Sequence, residues 1–256
     1  MAKFAAAAAV IPAAIPAATP TATPTASSAE RARGAARGAR QRAVADVKRS
    51  LVLAAARSAF IDLGLEGASL REIAKRAGYT PGAIYSYFAS KEEVYGALLG
   101  ESLERLNAHV AAAAPAPAAG RSAAASSRGA QDRLRATATA FFDFYRENPR
   151  DLDLGFYLFH GMQPRGLTPA LNERLNARLR DALAPTEQGL VEIGLRSADA
   201  RLEVTALFAH IVGLLLLSHT GRIRMFGQAS TALFARYLDA LLARTLAASK
   251  PRGARR

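Results

Sequence analysis

The sequence contains no cysteine, which excludes disulfide bonds, thiolate metal sites and a cysteine nucleophile. This composition fits a reducing compartment, so we expect a cytoplasmic protein. The histidines at positions 109, 160, 210 and 219 lack the spacing of a metal-binding motif, and we expect no metal site. Residues 131–248 contain no catalytic Ser/His/Asp pattern, no glycine-rich phosphate loop and no paired carboxylates. We therefore predict that the protein is not an enzyme, has no catalytic residue and needs no cofactor.

Long apolar runs and strand patterns are also missing. The most apolar internal run, residues 206–217, has 12 residues and includes His210, whereas a membrane-spanning helix needs about 20. We expect this run to be a core or interface helix and expect no membrane partner. Alternation of apolar and polar residues does not persist, and helical periodicity dominates from Val47 onward. The sequence thus predicts an all-α fold.

Positive charge is abundant but lies mostly near the two ends of the sequence. The 256 residues carry a formal net charge of +13. Residues 1–49 hold eight Lys or Arg and two acidic residues, and residues 250–256 hold four cations. A basic balance favours a polyanionic partner, either nucleic acid or an acidic membrane surface. The 200 residues between the ends hold 22 basic and 19 acidic side chains, so the net charge alone is weak support for DNA binding.

Low-complexity stretches divide the sequence into two folded blocks. Residues 1–18 resemble a signal peptide, but Pro12 and Pro16 interrupt the apolar run, so we expect a disordered extension or a start codon placed too early. Two further stretches, one rich in Arg, Gly and Ala and one in Ala and Pro, suggest a tail and a linker. We predict a disordered Ala/Pro/Arg-rich tail at 1–45, a first block at 46–106, a linker at 111–130, a second block at 131–248 and a basic tail at 249–256.

Helix starts and ends are clearly marked in the first block. The segments 69–72 (SLRE) and 90–93 (SKEE) both have the capping-box pattern, in which a serine accepts the backbone N–H three residues later. Thr80 precedes a proline at the first helical position, and the same pair recurs at 168–169. Gly64 and Gly78 occupy positions where a left-handed C-terminal cap is expected.

The first block has the pattern of a helix-turn-helix unit. Helix 69–77 carries one apolar face, Gly78 follows it, and the short helix 81–88 turns Ile84 and Phe88 inward. A longer helix at 47–63 supplies the matching apolar surface. The outward face of helix 81–88 is small, neutral and rich in tyrosine, which suits close approach to a DNA groove, while basic residues on the flanks suit phosphate contacts.

Residues 51–99, LVLAAARSAFIDLGLEGASLREIAKRAGYTPGAIYSYFASKEEVYGALL, resemble the DNA-binding domain of the TetR/AcrR family of transcriptional regulators. The matching marks are A-x-x-x-F-x-x-x-G at 56–64, the LREIAKRAG helix, the I-Y-x-Y-F segment and the S-K-E-E opening of the next helix. The resemblance implies a three-helix helix-turn-helix domain at 46–106 and a C-terminal helical domain for ligand binding and dimerisation. It also implies a homodimer that binds a double-stranded DNA operator in the nucleoid, with half-sites about 34–36 Å apart.

The resemblance also implies which residues face DNA. Four positions are expected near bases, four near phosphates, and Leu70 and Gly82 complete the set. The base-facing positions are Thr80, Pro81, Ala83 and Tyr87, and the phosphate-facing positions are Ser69, Arg71, Tyr85 and Lys91. The family often has a hydroxyl residue at position 83 and a histidine at position 87, so the operator sequence does not carry over. The alternative is that Tyr79 and Tyr87 pack the small domain and that Arg76 is a solvated helix charge.

In the second block, helices 200–220 and 229–248 are apolar on a wide face and match the two helices that form the dimer bundle in the family. An effector pocket is expected to draw on Tyr145, Tyr157, His160, Met162 and His210, with an ordinary core as the alternative. The linker at 111–130 is longer than the family's usual connection. We therefore expect the helix at 91–112 to respond to an effector through side-chain packing at Leu103 and Leu106.

These patterns predict a repressor that releases its operator on binding a small molecule. One alternative is a constitutive or activating DNA-binding regulator without an effector. Another is a helical small-molecule carrier or enzyme whose first block is vestigial.

Overall fold

The computed structural model describes residues 26–115, 123–156 and 167–249, and regular secondary structure in these ranges is entirely helical. This confirms the all-α prediction. The described helices are α1 (Ala26–Gly67), α2 (Leu70–Ala77), α3 (Pro81–Tyr85), α4 (Lys91–Ala113), α5 (Ala123–Glu147), α6 (Pro149–Phe156), α7 (Pro169–Ile193), α8 (Ser197–His219) and α9 (Ser230–Ser249), with a 3₁₀ turn at Arg222–Phe226.

The chain divides into two units, residues 1–48 and residues 49–256. In the first unit, residues 26–45 are helical, whereas the composition predicts disorder up to residue 45. The physical reason for the difference is that Ala and Arg are among the strongest helix formers. Residues 1–25 and 250–256, which hold the rest of the two predicted tails, lie outside the described residues.

The predicted linker at 111–130 is helical at both described ends. Helix α4 continues to Ala113 and α5 begins at Ala123. Alanine-rich sequence favours helix extension, which explains why low complexity here does not mean loss of structure. Residues 116–122 lie outside the description.

The first hydrophobic core joins residues 49–63 of α1 to α2, α3 and the start of α4. Ile84 is fully buried and Phe88 is 3% exposed, as predicted. They pack with side chains from the other three helices, among them Val52, Ala56, Ile73, Val94 and Leu98. This core fixes the orientation of α3.

The second core is built around α7, which packs against α4, α5 and α8, while α8 also packs against α9. Leu103 and Leu106 of α4 are buried in this core. The expected response of α4 to an effector through these two side chains requires such packing. The sequence predicts a break near Pro185, but α7 runs unbroken through it. Packing on several neighbouring helices compensates for the single hydrogen bond that proline removes.

Among the described helices, α8 is long and apolar enough by length and composition to cross a membrane. A core helix in a soluble protein meets the same criterion. In this fold, one side of α8 is buried at Val204, Leu207 and Ile211, while Leu202 on the other side is 70% exposed. The exposed apolar side of α8 thus needs a separate explanation.

Candidate nucleic-acid interface

Helix α2 and the turn after it are set by local hydrogen bonds. The Ser69 hydroxyl accepts the backbone N–H of Glu72 at 3.2 Å, which caps the helix as predicted. Gly78 has φ 71°, a left-handed conformation that favours glycine. The backbone N–H of Tyr79 reaches the carbonyl of Ala74 at 2.9 Å, which closes the turn. The chain therefore leaves α2 in a fixed direction toward α3.

Helix α3 begins as predicted but is shorter. The Thr80 hydroxyl accepts the N–H of Ala83 at 3.3 Å, and Pro81 occupies the first helical position. The helix ends at Tyr85 rather than near residue 88. The Ser86 hydroxyl donates to the Ala83 carbonyl at 2.7 Å, and such side-chain bonds compete with helix propagation. The recognition segment is thus little more than one helical turn.

Phe88 holds this segment down from its C-terminal side. Its ring is buried, and the Arg49 guanidinium lies over it at 4.9 Å from the centroid. A cation over an aromatic face is stabilising. Sequence reasoning missed Arg49, because no pattern links positions that are far apart in sequence.

The structure exposes most of the predicted DNA-facing side chains. Tyr85 is 58% exposed. Ala83, Tyr87 and Lys91 are half-buried, and Tyr87 packs against the first core. The remaining exposed members of the set are Ser69, Arg71, Thr80, Pro81 and Gly82.

Leu70 differs from the rest of the predicted set. Its side chain is only 8% exposed and belongs to the first core, so it is not available to a base edge. The apolar period of α2 requires this burial, because Leu70 precedes the buried Ile73 and Ala74 by three and four residues. Its inclusion in the DNA-facing set stays a prediction, and burial of the side chain leaves only its backbone for such a contact.

Arg76 is committed to neighbouring carboxylates. Its guanidinium bonds Asp62 at 2.5 Å and Glu72 at 2.8 Å, and it also bonds the Ser58 hydroxyl. The hydrogen bond from Arg76 lowers the pKa of the Glu72 carboxyl. Positive charge on the exposed surface of α2 therefore comes from Arg71 and Lys75.

Tyr95 connects the first core to the second. Its ring meets Phe60 of α1 edge-on, with centroids 6.3 Å apart, and its hydroxyl donates to the carbonyl of Leu154 in α6. Ten residues further along α4, Arg105 pairs with Asp151 of α6 at 2.5 Å. These contacts, which sequence reasoning missed, tie α4 to α6 at two points.

Two family models match the chain over regions that agree with this architecture. The model described as "Bacterial regulatory proteins, tetR family" matches residues 52–98, and the model described as "Tetracyclin repressor-like, C-terminal domain" matches residues 134–241. Together they cover more than half of the sequence. The chain belongs to the TetR family.

Two known proteins are similar to the chain over part of their length. The chain is 34% identical over 115 residues to the HTH-type transcriptional activator FasR of Mycolicibacterium smegmatis, which is 45% of this chain and 48% of FasR. It is 45% identical over 62 residues to the A-factor receptor protein of Streptomyces griseus, which is 24% of this chain and 22% of the receptor. The chain thus spans less than half the length of these two relatives.

A solved TetR-family structure agrees with the fold over a larger share. The regulatory protein from Rhodococcus RHA1 superposes with a TM-score of 0.56 at 23% identity, covering 78% of this chain and 96% of that one. At this identity the likeness supports the fold alone.

Two of the five predicted pocket residues of this TetR-family chain lie in the described part, and they have different neighbours. Tyr145 is 1% exposed and packs against Phe141 and Phe144, with centroids 5.4 Å and 5.2 Å away. Burial, together with the charge of Asp151, raises the pKa of the Tyr145 phenol. Among these neighbours Tyr145 is part of the second core. The other three predicted residues, Tyr157, His160 and Met162, lie outside the described residues.

His210 packs toward α9 rather than toward the aromatic cluster of α5. Its ring stacks on Tyr237 with centroids 3.9 Å apart. Its Nε2 atom is buried and has no hydrogen-bond partner among the described residues. Burial lowers the pKa of His210, which favours the neutral ring. In the same described ranges, no group of three His, Asp or Glu side chains is placed to hold a metal ion.

Proposed function

We propose that this chain is a cytoplasmic DNA-binding transcription regulator that represses its target and releases its operator when a small molecule binds the second domain. The exposed α3 segment carries the proposal. It is capped by Thr80, held from below by the buried Ile84 and Phe88, and presents an outward surface without charge.

The chemistry of that surface suits contact with a groove wall. Pro81 and Gly82 are exposed and small, so duplex DNA meets little steric resistance there. The Tyr85 phenol is 58% exposed and has both a donor and an acceptor for phosphate or base edges. Arg71 and Lys75 on the exposed side of α2 supply charge for phosphates. This arrangement separates contacts that position the protein from contacts that select the sequence.

The proposal includes a homodimer formed through α8 and α9. On α8, Leu202 is 70% exposed and Leu217 is 40% exposed. Large apolar side chains that are exposed together on one side of a helix are typical of a protein–protein interface. The partner is a second copy, since belonging to the TetR family supports self-association through these helices. Light scattering at micromolar concentration tests this, and a monomer at that concentration contradicts it.

Contacts between α4 and α6 support a response of DNA binding to an effector. Tyr95 and Arg105 of α4 are bound to Leu154 and Asp151 of α6, so a change in α6 reaches the helix that carries the DNA-binding unit. The small molecule itself is identified by thermal-shift screening followed by release assays on DNA.

An activating role is the second candidate, and one observation favours it. The relative FasR, 34% identical over 115 residues, is named a transcriptional activator. A reporter placed behind the bound sequence separates the two roles. Loss of the protein raises expression for a repressor and lowers expression for an activator.

The deciding experiment is selection of bound duplexes from random DNA with the purified protein, followed by affinity measurement for Tyr85→Ala. We expect the variant to weaken binding to the selected duplex about tenfold or more, which corresponds to one hydrogen bond to a charged group. Phe226→Ala is the matched control, because this exposed aromatic residue lies in the second domain. Selection that enriches no sequence, or Tyr85→Ala binding as tightly as Phe226→Ala, contradicts the proposal.

A further inference from the structure

We propose that residues 31–48, here called the basic arm, form a second DNA-contacting surface that binds phosphates without reading sequence. The inference rests on the proposed function, because it concerns how the same protein holds the same duplex. The family models begin at residue 52, so the arm lies outside the region that they describe.

The arm concentrates exposed positive charge. It contains six cations and a single acidic residue, Asp46. Every residue from 30 to 48 is exposed except the half-buried Gly38. The Arg42 Nε donates to the carbonyl of Gly38 at 3.3 Å, within the same helix. The cations repel one another in the free arm, and a bound polyanion relieves this repulsion.

Helical geometry gathers half of the cations on one face. The arm is part of α1, and each residue of an α-helix advances by about 100° and 1.5 Å. Arg33, Arg37 and Arg40 therefore fall within a sector of about 60° and span about 10 Å along the axis. Arg31 and Arg42 point to the opposite side. Each guanidinium group is planar and can donate two hydrogen bonds to one phosphate. Three such groups in a row suit the regularly spaced phosphates of a DNA strand.

The composition of the arm favours DNA over a membrane surface. Helices that lie on membranes bury large apolar residues below a basic face. The arm contains two apolar residues larger than alanine, Val44 and Val47, and both lie C-terminal to its arginines. Phosphate binding needs only charge and close approach, and the small Ala and Gly side chains between the arginines permit it.

The test compares the full chain with Arg33→Gln/Arg37→Gln/Arg40→Gln. A charge-matched control, Arg174→Gln/Arg222→Gln/Arg224→Gln, removes three exposed cations from the second domain. Fluorescence anisotropy gives the dissociation constant for a mixed-sequence duplex of about 30 base pairs between about 50 and 300 mM salt. Circular dichroism confirms that each variant keeps its helix content.

Each phosphate contact contributes about 0.9 to the slope of log affinity against log salt. We expect the arm variant to lower the magnitude of this slope by about 2 to 3, and its affinity at about 150 mM salt to fall more than tenfold. The control is expected to change the slope by less than about 1. An unchanged slope for the arm variant, or an equal change in the control, overturns the inference. So does tighter binding of the full chain to anionic phospholipid vesicles than to the duplex.

A parallel measurement on a duplex selected from random DNA separates this inference from the proposed function. We expect the arm variant to lose affinity for the selected and mixed duplexes in parallel, so that their ratio is kept. A preferred duplex together with an unchanged salt slope leaves the proposed function standing and removes the arm. A reduced salt slope without any preferred duplex supports phosphate binding by the arm and removes the proposed sequence-specific function.

Discussion

We expect Gly96→Ala to destabilise the protein, although alanine is the better helix former. Gly96 is a buried residue of α4 facing α7. A Cβ atom at this position would lie 2.6 Å and 3.0 Å from the two Cδ atoms of Leu171 and 3.1 Å from its Cγ. Carbon atoms in contact normally lie about 3.5 to 4.0 Å apart. Either Leu171 or the α4 backbone must therefore move.

Two opposing effects set the magnitude. Replacing Gly by Ala inside a helix gains about 1 kcal/mol. Forcing an extra methyl group into a packed contact costs about 1 to 3 kcal/mol. Because all three close atoms belong to the branched end of one side chain, we expect the cost to exceed the gain by about 1 kcal/mol.

Gly100→Ala is the matched control one turn later on the same helix. Its Cβ would lie 2.7 Å from Nη1 of Arg178, the far end of a long, exposed side chain. Arg178 also pairs with Glu104 at 2.9 Å, but exposed ion pairs contribute little. The side chain can move aside, so we expect Gly100→Ala to stabilise the protein by up to about 1 kcal/mol.

Urea unfolding of the two variants measures both effects. Gly96→Ala is also combined with Leu171→Ala, which removes the atoms that the new methyl group meets. We expect the double variant to lose less stability than the two single changes added together, because the clash is absent. If Gly96→Ala proves as stabilising as Gly100→Ala, α4 and α7 do not approach as closely as described.

Two further predictions concern the links between helices. Tyr95→Phe removes the hydroxyl that donates to the Leu154 carbonyl and keeps the ring contact, so we expect the free energy of unfolding, measured with urea, to fall by about 1 kcal/mol. Tyr79→Phe, in the first core, is the control and should lose less stability. Equal losses in the two variants would contradict the hydrogen bond from Tyr95 to Leu154. For His210, burial lowers the folded-state pKa, so the unfolded chain takes up the proton first, and stability falls as pH drops below about 6.5 and levels off below the folded pKa. The difference in urea midpoint between about pH 8 and pH 5.5 should therefore shrink in His210→Gln, and an unchanged difference would show that His210 is accessible to protons in the folded state.

Features determined by neighbours in the chain were predictable from sequence. Ser69, Thr80, Ser90 and Thr168 each accept the backbone N–H three residues later, as their cap patterns predict. The left-handed conformation of Gly78 followed from the same kind of rule. Such interactions are contained within about one helical turn, so the sequence pattern includes all the groups involved.

Features determined by distant residues were not predictable in the same way. Tyr95 and Leu154 are 59 positions apart, and Arg76 and Asp62 are 14 apart, so no local pattern connects them. The same limit applies to helix ends in low-complexity sequence, where composition predicted a disordered tail and the structure has α1. A low-complexity composition indicates that a segment cannot form a hydrophobic core. Such a segment can still be helical, because helix propensity does not require a core.

The separation of charge from the α3 surface has a consequence for selectivity. Phosphate contacts contribute nearly the same free energy on any duplex, while contacts at the predicted base-facing positions, such as Thr80 and Tyr87, would differ from one sequence to another. A basic arm that supplies most of the electrostatic attraction therefore multiplies the affinity for every site by a similar factor. Because α3 carries no charge, its own contribution to binding that does not depend on sequence is small. The amount of protein held on DNA and the choice of sequence are then adjustable independently, the first through arginines of the arm and the second through the exposed face of α3.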